Sequence, residues 1–543
     1  MKKIVYNILA VLLAVISTGC SDFLEREPKD ELSPSLFWNK EADATLALVG
    51  CYSFMEANTT PIYYDAASDN AFSFHRFAGW QVLGNGEMSP GETQMKNFMD
   101  YKGIHACNEY LEKESTVRFS SEALREQYRA EVRFIRAYIY YAKTRAYGAV
   151  PFFTENFETP EEAKIGRTPR EEVEKFIISE LNDIIPALPR KEQLTDAGRI
   201  SQGAAYALLM RLHLYRGEYA ESLKAAKSIE GYRLFQQEGK SGYENYEGLF
   251  LLANQECDEY ILNLENTENT HTMNFITFVP NSHGGWSGVV PLQSLVDAYE
   301  TADGLTIDEA KAQNKFDPSN PFVNRDPRLR ATIIYPGQNW EGRIFRSVES
   351  TSPDYPGSAN NATHSGYNFK KFYNSLSQFP LTYENTSKSI PLFRYAEVLL
   401  TIAECKVELN QIDEELYDAI DRVRTRSGMP KTDRAKYRDA SALRELVRRE
   451  RRVELAFEGL RRADILRWNM AMEVMNRDAL GCNQGIILDE VSDPVFGDKK
   501  VCLDKEPFFV EKRSFKEKDK LFPIPLTEMD KNPKLAPNNP GYE

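Results

Sequence analysis

Trp286 is the residue of this chain best placed to do chemistry on a ligand. It stands in Asn281-Ser282-His283-Gly284-Gly285-Trp286-Ser287-Gly288, where glycines and small polar residues leave its ring little to pack on locally. An exposed indole leaves apolar area in water at roughly 25 cal/mol per Å2 unless a ligand or partner covers it. The matching chemistry is stacking: an apolar ligand face can lie on the ring while directional polar partners around it take the ligand's hydrogen-bonding groups. Trp80 lies in a comparable context between Gly79 and Gly84, and Trp340 follows Pro336-Gly337. For Trp80, the alternative is a core tryptophan that locks its loop. Trp38 and Trp468 read as structural.

Other chemistries find little support. No H-E-x-x-H, G-x-S-x-G, EF-hand or dinucleotide-binding glycine pattern occurs. The six histidines are scattered. His271 and His283 share a loop segment, but without further ligands no metal and no cofactor is expected. With 81 Asp and Glu, carboxylate pairs of glycosidase type arise by chance and carry no weight. The sequence does not call for an enzyme.

The elements that must position these residues are mostly helical. From Ser121 to Tyr147, Leu124, Tyr128, Val132, Ile135, Tyr138, Ile139 and Ala142 recur at offsets of three and four, one stripe of a helix that Gly148 ends. Thr168-Pro169 caps the next helix, with Pro169 expected in its first turn and Glu171 and Glu172 facing the positive dipole end. Ser201–Ile229 reads as a helix–turn–helix unit with small residues on facing stripes, the packing of tetratricopeptide (TPR) units; Arg394–Asn410 with Glu414–Arg426 reads as a second. In Arg444–Trp468, Leu446, Val453, Phe457 and Leu460 form one helical stripe, and Glu450, Glu454 and Glu458 stand four apart beside arginines. Those charges suit locking of helix register better than acid–base work. The fold class is therefore mainly α: a TPR-like helix-pair scaffold carrying long irregular loops. Loop-rich insertions are expected at about 57–97, 263–380 and 476–510, and their aromatic content argues against disorder.

The N-terminus and composition bound the setting. Met1-Lys2-Lys3 is followed by the apolar run Ile4–Ile16, too short for the ~20 residues of a membrane-spanning helix, and by Ser17-Thr18-Gly19-Cys20. This reads as a lipoprotein signal over residues 1–19, with Cys20 the lipidated first residue of one mature domain, 20–543. Each buried methylene of the acyl chains would contribute roughly 0.8 kcal/mol to anchoring. A net charge of -14 argues against nucleic acid. No C-x-x-C spacing occurs; Cys482 and Cys502 bracket one insertion and could bridge, and the other cysteines read as buried thiols.

Several segments together resemble the SusD/RagB family of nutrient-binding outer-membrane lipoproteins. They are Cys20-Ser21-Asp22-Phe23-Leu24-Glu25, Ala130–Tyr138 closing on Tyr147–Pro151, Arg394–Leu400 with Ala403-Glu404, and Val423–Gly428. The most specific is Glu450–Arg462 followed by Asp464-Ile465 and Arg467-Trp468, and the series ends on Leu521–Pro525, Asn532-Pro533 and Pro540–Tyr542. In order, they span the whole mature chain.

The resemblance implies noncatalytic capture of an oligosaccharide at the cell surface of the outer membrane, and its delivery to a partner SusC-like TonB-dependent transporter. The family's starch binder carries an arginine, a tryptophan and an asparagine in an early loop, and those roles fall here on Arg76, Trp80 and Asn85. The expected ligand-binding set is thus Trp80, Trp286, Asn85, Arg76 and Trp340. Peptide capture for an importer, a protein-interaction scaffold and a surface glycosidase are the competing readings; the aromatic, glycine-rich loops favour sugar.

Overall fold

The computed structural model describes residues 37–543 apart from 76–77, 93–95, 197 and 380–381. The signal segment, Cys20 and Arg76 lie outside the described residues. The helices that matter below are α1 (Glu41–Tyr52), α2 (Lys102–Lys113), α3 (Glu122–Tyr147), α4 (Arg170–Ile184), α5 (Gln202–Tyr215), α6 (Tyr219–Lys227), α7 (Tyr395–Glu408), α8 (Glu414–Arg426), α9 (Ala440–Glu454) and α10 (Arg461–Arg467). The strands that matter below are β1 (Ala71–Phe72), β2 (Tyr260–Leu264), β3 (Val290–Pro291), β4 (Ile390–Arg394), β5 (Ala479–Asn483), β6 (Ile486–Asp493), β7 (Asp498–Cys502) and β8 (Pro507–Glu511). They pair antiparallel as β1–β3, β2–β4, β5–β8 and β6–β7.

The helix pairs fall where the periodicity puts them. Ser121 caps α3 by accepting the Leu124 amide at 3.2 Å, and Gly148 ends it at φ 71°. Tyr128, Val132, Ile135, Tyr138 and Ile139 of its stripe are buried. α5 and α6 form one antiparallel pair, α7 and α8 the other, and α7 packs against both α6 and α9. Arg211 of α5 fixes the register between the pairs, since its guanidinium reaches both oxygens of Glu397 on α7 (2.9 and 2.7 Å) with both side chains buried. Pro169 stands at the cap of α4, one place before the first turn expected for it, and Glu171 and Glu172 occupy that turn.

The stripe expected to run unbroken through Arg444–Trp468 is divided. α9 stops at Glu454, Phe457 turns left-handed (φ 63°), and Gly459 (φ 75°) lets the chain pass Pro61 before α10 begins. The break is stabilised from outside the segment. Lys371 Nζ donates to the carbonyls of Glu454 and Ala456 at 2.9 and 3.0 Å, a cation on the negative end of α9, and the Phe457 amide donates to Asp65. Glu454 itself accepts from Arg394 (2.7 Å), Arg328 (3.0 Å) and Arg426. Glu450 and Glu454 are buried and the Glu458 side chain nearly so, in keeping with a structural role.

The segment 57–97, expected as a loop-rich insertion, is not wholly irregular. It contains helices Thr60–Tyr64 and Trp80–Asn85, and residues 60–73 are all buried. Its glycines permit close packing: a Cβ at Gly84 would lie 2.4 Å from the Ala66 carbonyl oxygen. Cys482 and Cys502 are both free thiols.

Candidate functional site

Strand pairing brings two distant loops together. Ala71 opposes Pro291 and Phe72 opposes Val290, so Phe74-His75 leaving β1 lies beside Trp286 entering β3. The Trp286 loop is fastened by its own backbone. The Trp286 amide donates to the Ile276 carbonyl at 2.9 Å and the Ser287 amide to the Val279 carbonyl at 3.1 Å. A Cβ at Gly285 would stand 2.0 Å from the Val279 oxygen, so only glycine allows this approach. Ser287 is buried and accepts from Asn368 Nδ2 at 3.1 Å, which leaves the neighbouring indole turned outward with 36% of Trp286 exposed. The His75 ring meets it edge-on, centroids 6.1 Å apart.

His75 also lines an open cleft of about 800 Å3. Phe74 stacks on His364 at 3.9 Å on one side, and Gln81, Asn85, Glu87, Asn360, Asn361, Glu511 and Lys512 supply the polar fringe. Asn85 is held by Glu87: its Oδ1 accepts the Glu87 amide (3.0 Å), and its Nδ2 donates to the Glu87 carboxylate (3.1 Å). Burial lowers the pKa of His75, which keeps the imidazole neutral, and burial raises that of the Glu511 carboxyl against the opposing Arg513. Amide and carboxyl groups beside a partly exposed aromatic ring can hold the hydroxyls of a polyhydroxylated ligand.

The expected residues divide. Trp286 and Asn85 come together around His75, and Arg76 lies outside the described residues. Trp80 is only 6% exposed; Tyr63 stacks parallel to it at 5.8 Å, and Tyr64 and Phe98 meet its edges, so no face is open to a ligand. Trp340 is 5% exposed, donates its indole N–H to the Asn374 carbonyl at 2.9 Å, and packs under His283 at 4.7 Å. Burial holds that imidazole down at about 4. Both tryptophans are core residues, which corrects the expectation of stacking platforms there. His75, Gln81, Asn360, Asn361 and Glu511 were missed. The Asn360-Asn361 pair in a glycine- and serine-rich loop was a legible signal; Glu511 gave none.

Helix pairs of TPR type carrying an aromatic, polar surface cleft define a helical binding protein rather than a barrel or sandwich. The chain belongs to the SusD family: the family description "SusD family" matches residues 257–542, and a second, "Starch-binding associating with outer membrane", matches 22–214. Among curated proteins it is 24% identical to SusD-like protein P25 of Formosa agariphila, over 99% of each chain. Among solved structures it is similar to a SusD-like carbohydrate binding protein from Bacteroides fragilis, with 29% identity and TM-score 0.79 over 92% of this chain and 100% of that one. It also shares its fold with a laminarin binding SusD-like protein, with 23% identity and TM-score 0.65 over 93% of this chain and 100% of the other.

Proposed function

We propose that this protein binds an oligosaccharide at the outer-membrane surface without cleaving it, and passes it to a partner TonB-dependent transporter while anchored through lipid on Cys20. The observation that carries the reading is Trp286, held outward by a fastened loop beside His75 and next to a cleft fringed with amides and carboxylates. One sugar face covers the indole while its hydroxyls meet Asn85, Gln81 and the asparagine pair. The names of the relatives support the class of ligand, starch and laminarin being neutral glucans. Arg76, two residues before Ala78 on the same loop, is proposed as a further polar contact.

The test is an array of plant, microbial and host glycans, with peptides as controls, probed with the soluble chain lacking residues 1–20. Saturable binding to one glycan class that weakens in Trp286→Ala supports the reading. Binding to peptides alone would replace it with peptide capture, and release of shortened saccharides on long incubation would replace it with hydrolysis. Delivery is tested separately, by co-purification of the full-length lipoprotein with an outer-membrane transporter.

A further inference from the structure

A second cleft lies between the β6–β7 hairpin and the short helix Pro327–Thr332; it shares no lining residue with the first and encloses about 280 Å3. Its walls are aromatic. Phe322 and Tyr335 stack at 4.4 Å with their planes 17° apart, and Phe496 meets Tyr243 edge-on at 5.0 Å. Both phenylalanines are half-buried, so part of each ring is open. Arg330 lies over Phe496 at 3.9 Å, paired with Asp498 and donating to the Tyr335 hydroxyl at 3.3 Å, while its Nε is buried with no partner.

The charged groups of the walls are hydrogen-bonded within the protein, Lys499 to the Asp489 carbonyl. Asp498 takes Arg330 and the Asn339 amide, Asp326 takes Arg328, and Arg325 donates to the carbonyls of Val296, Tyr299 and Pro321. The Asp493 carboxylate accepts the Val495 and Phe496 amides. What remains is an amphipathic hollow with no bias towards a charged ligand. Its surroundings are unusually apolar: Val323 in the wall, and Val491 and Val495 flanking the hairpin residues that line it, are all exposed, Val495 by 82%. Asn324 turns left-handed (φ 56°) beside Val323. Clustered exposed apolar side chains around an aromatic hollow mark a binding surface more often than a bare one.

We infer that this hollow is a second saccharide site, sized for a single neutral sugar ring, with the half-open Phe322 and Phe496 rings as stacking faces and the β6–β7 hairpin as its outer wall. The volume lies just below the ~300 Å3 at which ligand pockets begin, so it suits one ring and not a chain. The ligand class rests on the glycan reading above; the location does not. Such a site would hold a branch or a chain end while the Trp286 cleft holds the body of the glycan.

The experiment titrates neutral monosaccharides (glucose, galactose, mannose, N-acetylglucosamine) and an oligosaccharide found on the array into the wild type, Trp286→Ala, Ser492→Trp and Phe322→Leu, with melting curves for each. Ser492 lines the hollow and is half-buried, so an indole there fills it; Phe322→Leu keeps the apolar contact and removes the aromatic face. The expected result is saturable binding of one monosaccharide, unchanged within about twofold in Trp286→Ala and weakened at least about tenfold in both other variants, whose oligosaccharide binding persists. The inference is overturned if monosaccharide binding is absent from the wild type or disappears in Trp286→Ala, or if it survives both changes at the hollow. Oligosaccharide binding in those cases leaves the main reading standing, whereas silence towards every saccharide removes both.

Discussion

The imidazole of His75 stands edge-on to the indole of Trp286, ring centroids 6.1 Å apart and planes at 89°, although the residues lie on loops separated by most of the N-terminal helical half. The contact braces the indole while 36% of Trp286 stays exposed. It also joins the stacking platform to the polar cleft, because the same imidazole lines both.

Trp286 and Trp80 therefore make opposite predictions. Trp286→Ala removes a partly exposed ring and should weaken glycan binding by about tenfold or more, some 1.4 kcal/mol, with little change in melting temperature. Trp80→Ala empties a core position ringed by Tyr63, Tyr64 and Phe98 and should cost about 3–5 kcal/mol of stability. Calorimetric titration beside urea unfolding separates the two. Loss of stability in the first with none in the second would reverse the assignment.

Gly285→Ala tests the fastening of the loop without altering any binding side chain chemically. The added methyl carbon would lie 2.0 Å from the Val279 carbonyl oxygen, backbone that cannot rotate away, so the loop must shift. Glycan affinity should fall several-fold, with tryptophan fluorescence moving as Trp286 leaves His75. An unchanged affinity would show that the indole need not be preset.

How much of this was legible in the sequence follows from what each signal measures. Helix stripes record burial directly, so α3 and the pairs α5–α6 and α7–α8 lay close to where the spacing of Leu, Ala and Tyr put them. Glycine next to tryptophan records only a tight backbone. At Gly285 it permits a fastened turn that lifts Trp286 outward; at Gly84 it permits the chain to press on Ala66, with Trp80 inside. The same composition thus marks an exposed ring and a buried one. Glu511 and Lys512 were invisible because they reach the cleft only through tertiary contacts: the adjoining Arg513 donates to the carbonyls of Ser68 (2.5 Å) and Ala71 (2.8 Å), tying the end of β8 to the start of β1. The break in Arg444–Trp468 was equally hidden, since the Lys371 and Asp65 that stabilise it are remote in sequence.

Lys388 offers a pH signature. It is fully buried, its Nζ has no hydrogen-bond partner, and burial pushes its pKa down to about 7 against the opposing influence of Cys257 and Glu265; the Tyr260 ring lies 5.7 Å away. The unfolded chain holds this proton up to about pH 10.4, so between pH 7 and 10 the unfolded state binds more protons and stability rises with pH, by at most about 1.4 kcal/mol per unit from this group. Lys388→Met should raise stability at pH 7 and remove that part of the rise. Denaturant melts at pH 7, 8 and 9 measure both; an equal loss of stability at all three would mean that the amine is well accommodated as a cation.

Glu454 predicts the opposite limb. Its carboxylate is completely buried, and despite desolvation the guanidinium groups of Arg426, Arg394 and Arg328 hold its pKa far below the ordinary glutamate value. Glu450 and Glu458, beside the same cations, are lowered as well. For a depressed carboxylate the stabilisation is complete above the unfolded pKa, about 4.3, and is lost as pH falls towards the folded one. The native protein should therefore lose stability steeply below about pH 4. Glu454→Gln leaves the three arginines facing a neutral amide in a dry interior and should cost about 3–5 kcal/mol at pH 7, with a shallower decline in acid. Because the cluster shares no residue with the Trp286 cleft, the fraction that remains folded should bind glycan with unchanged affinity. A loss of affinity beyond the loss of folded protein would place the charge cluster in communication with the site.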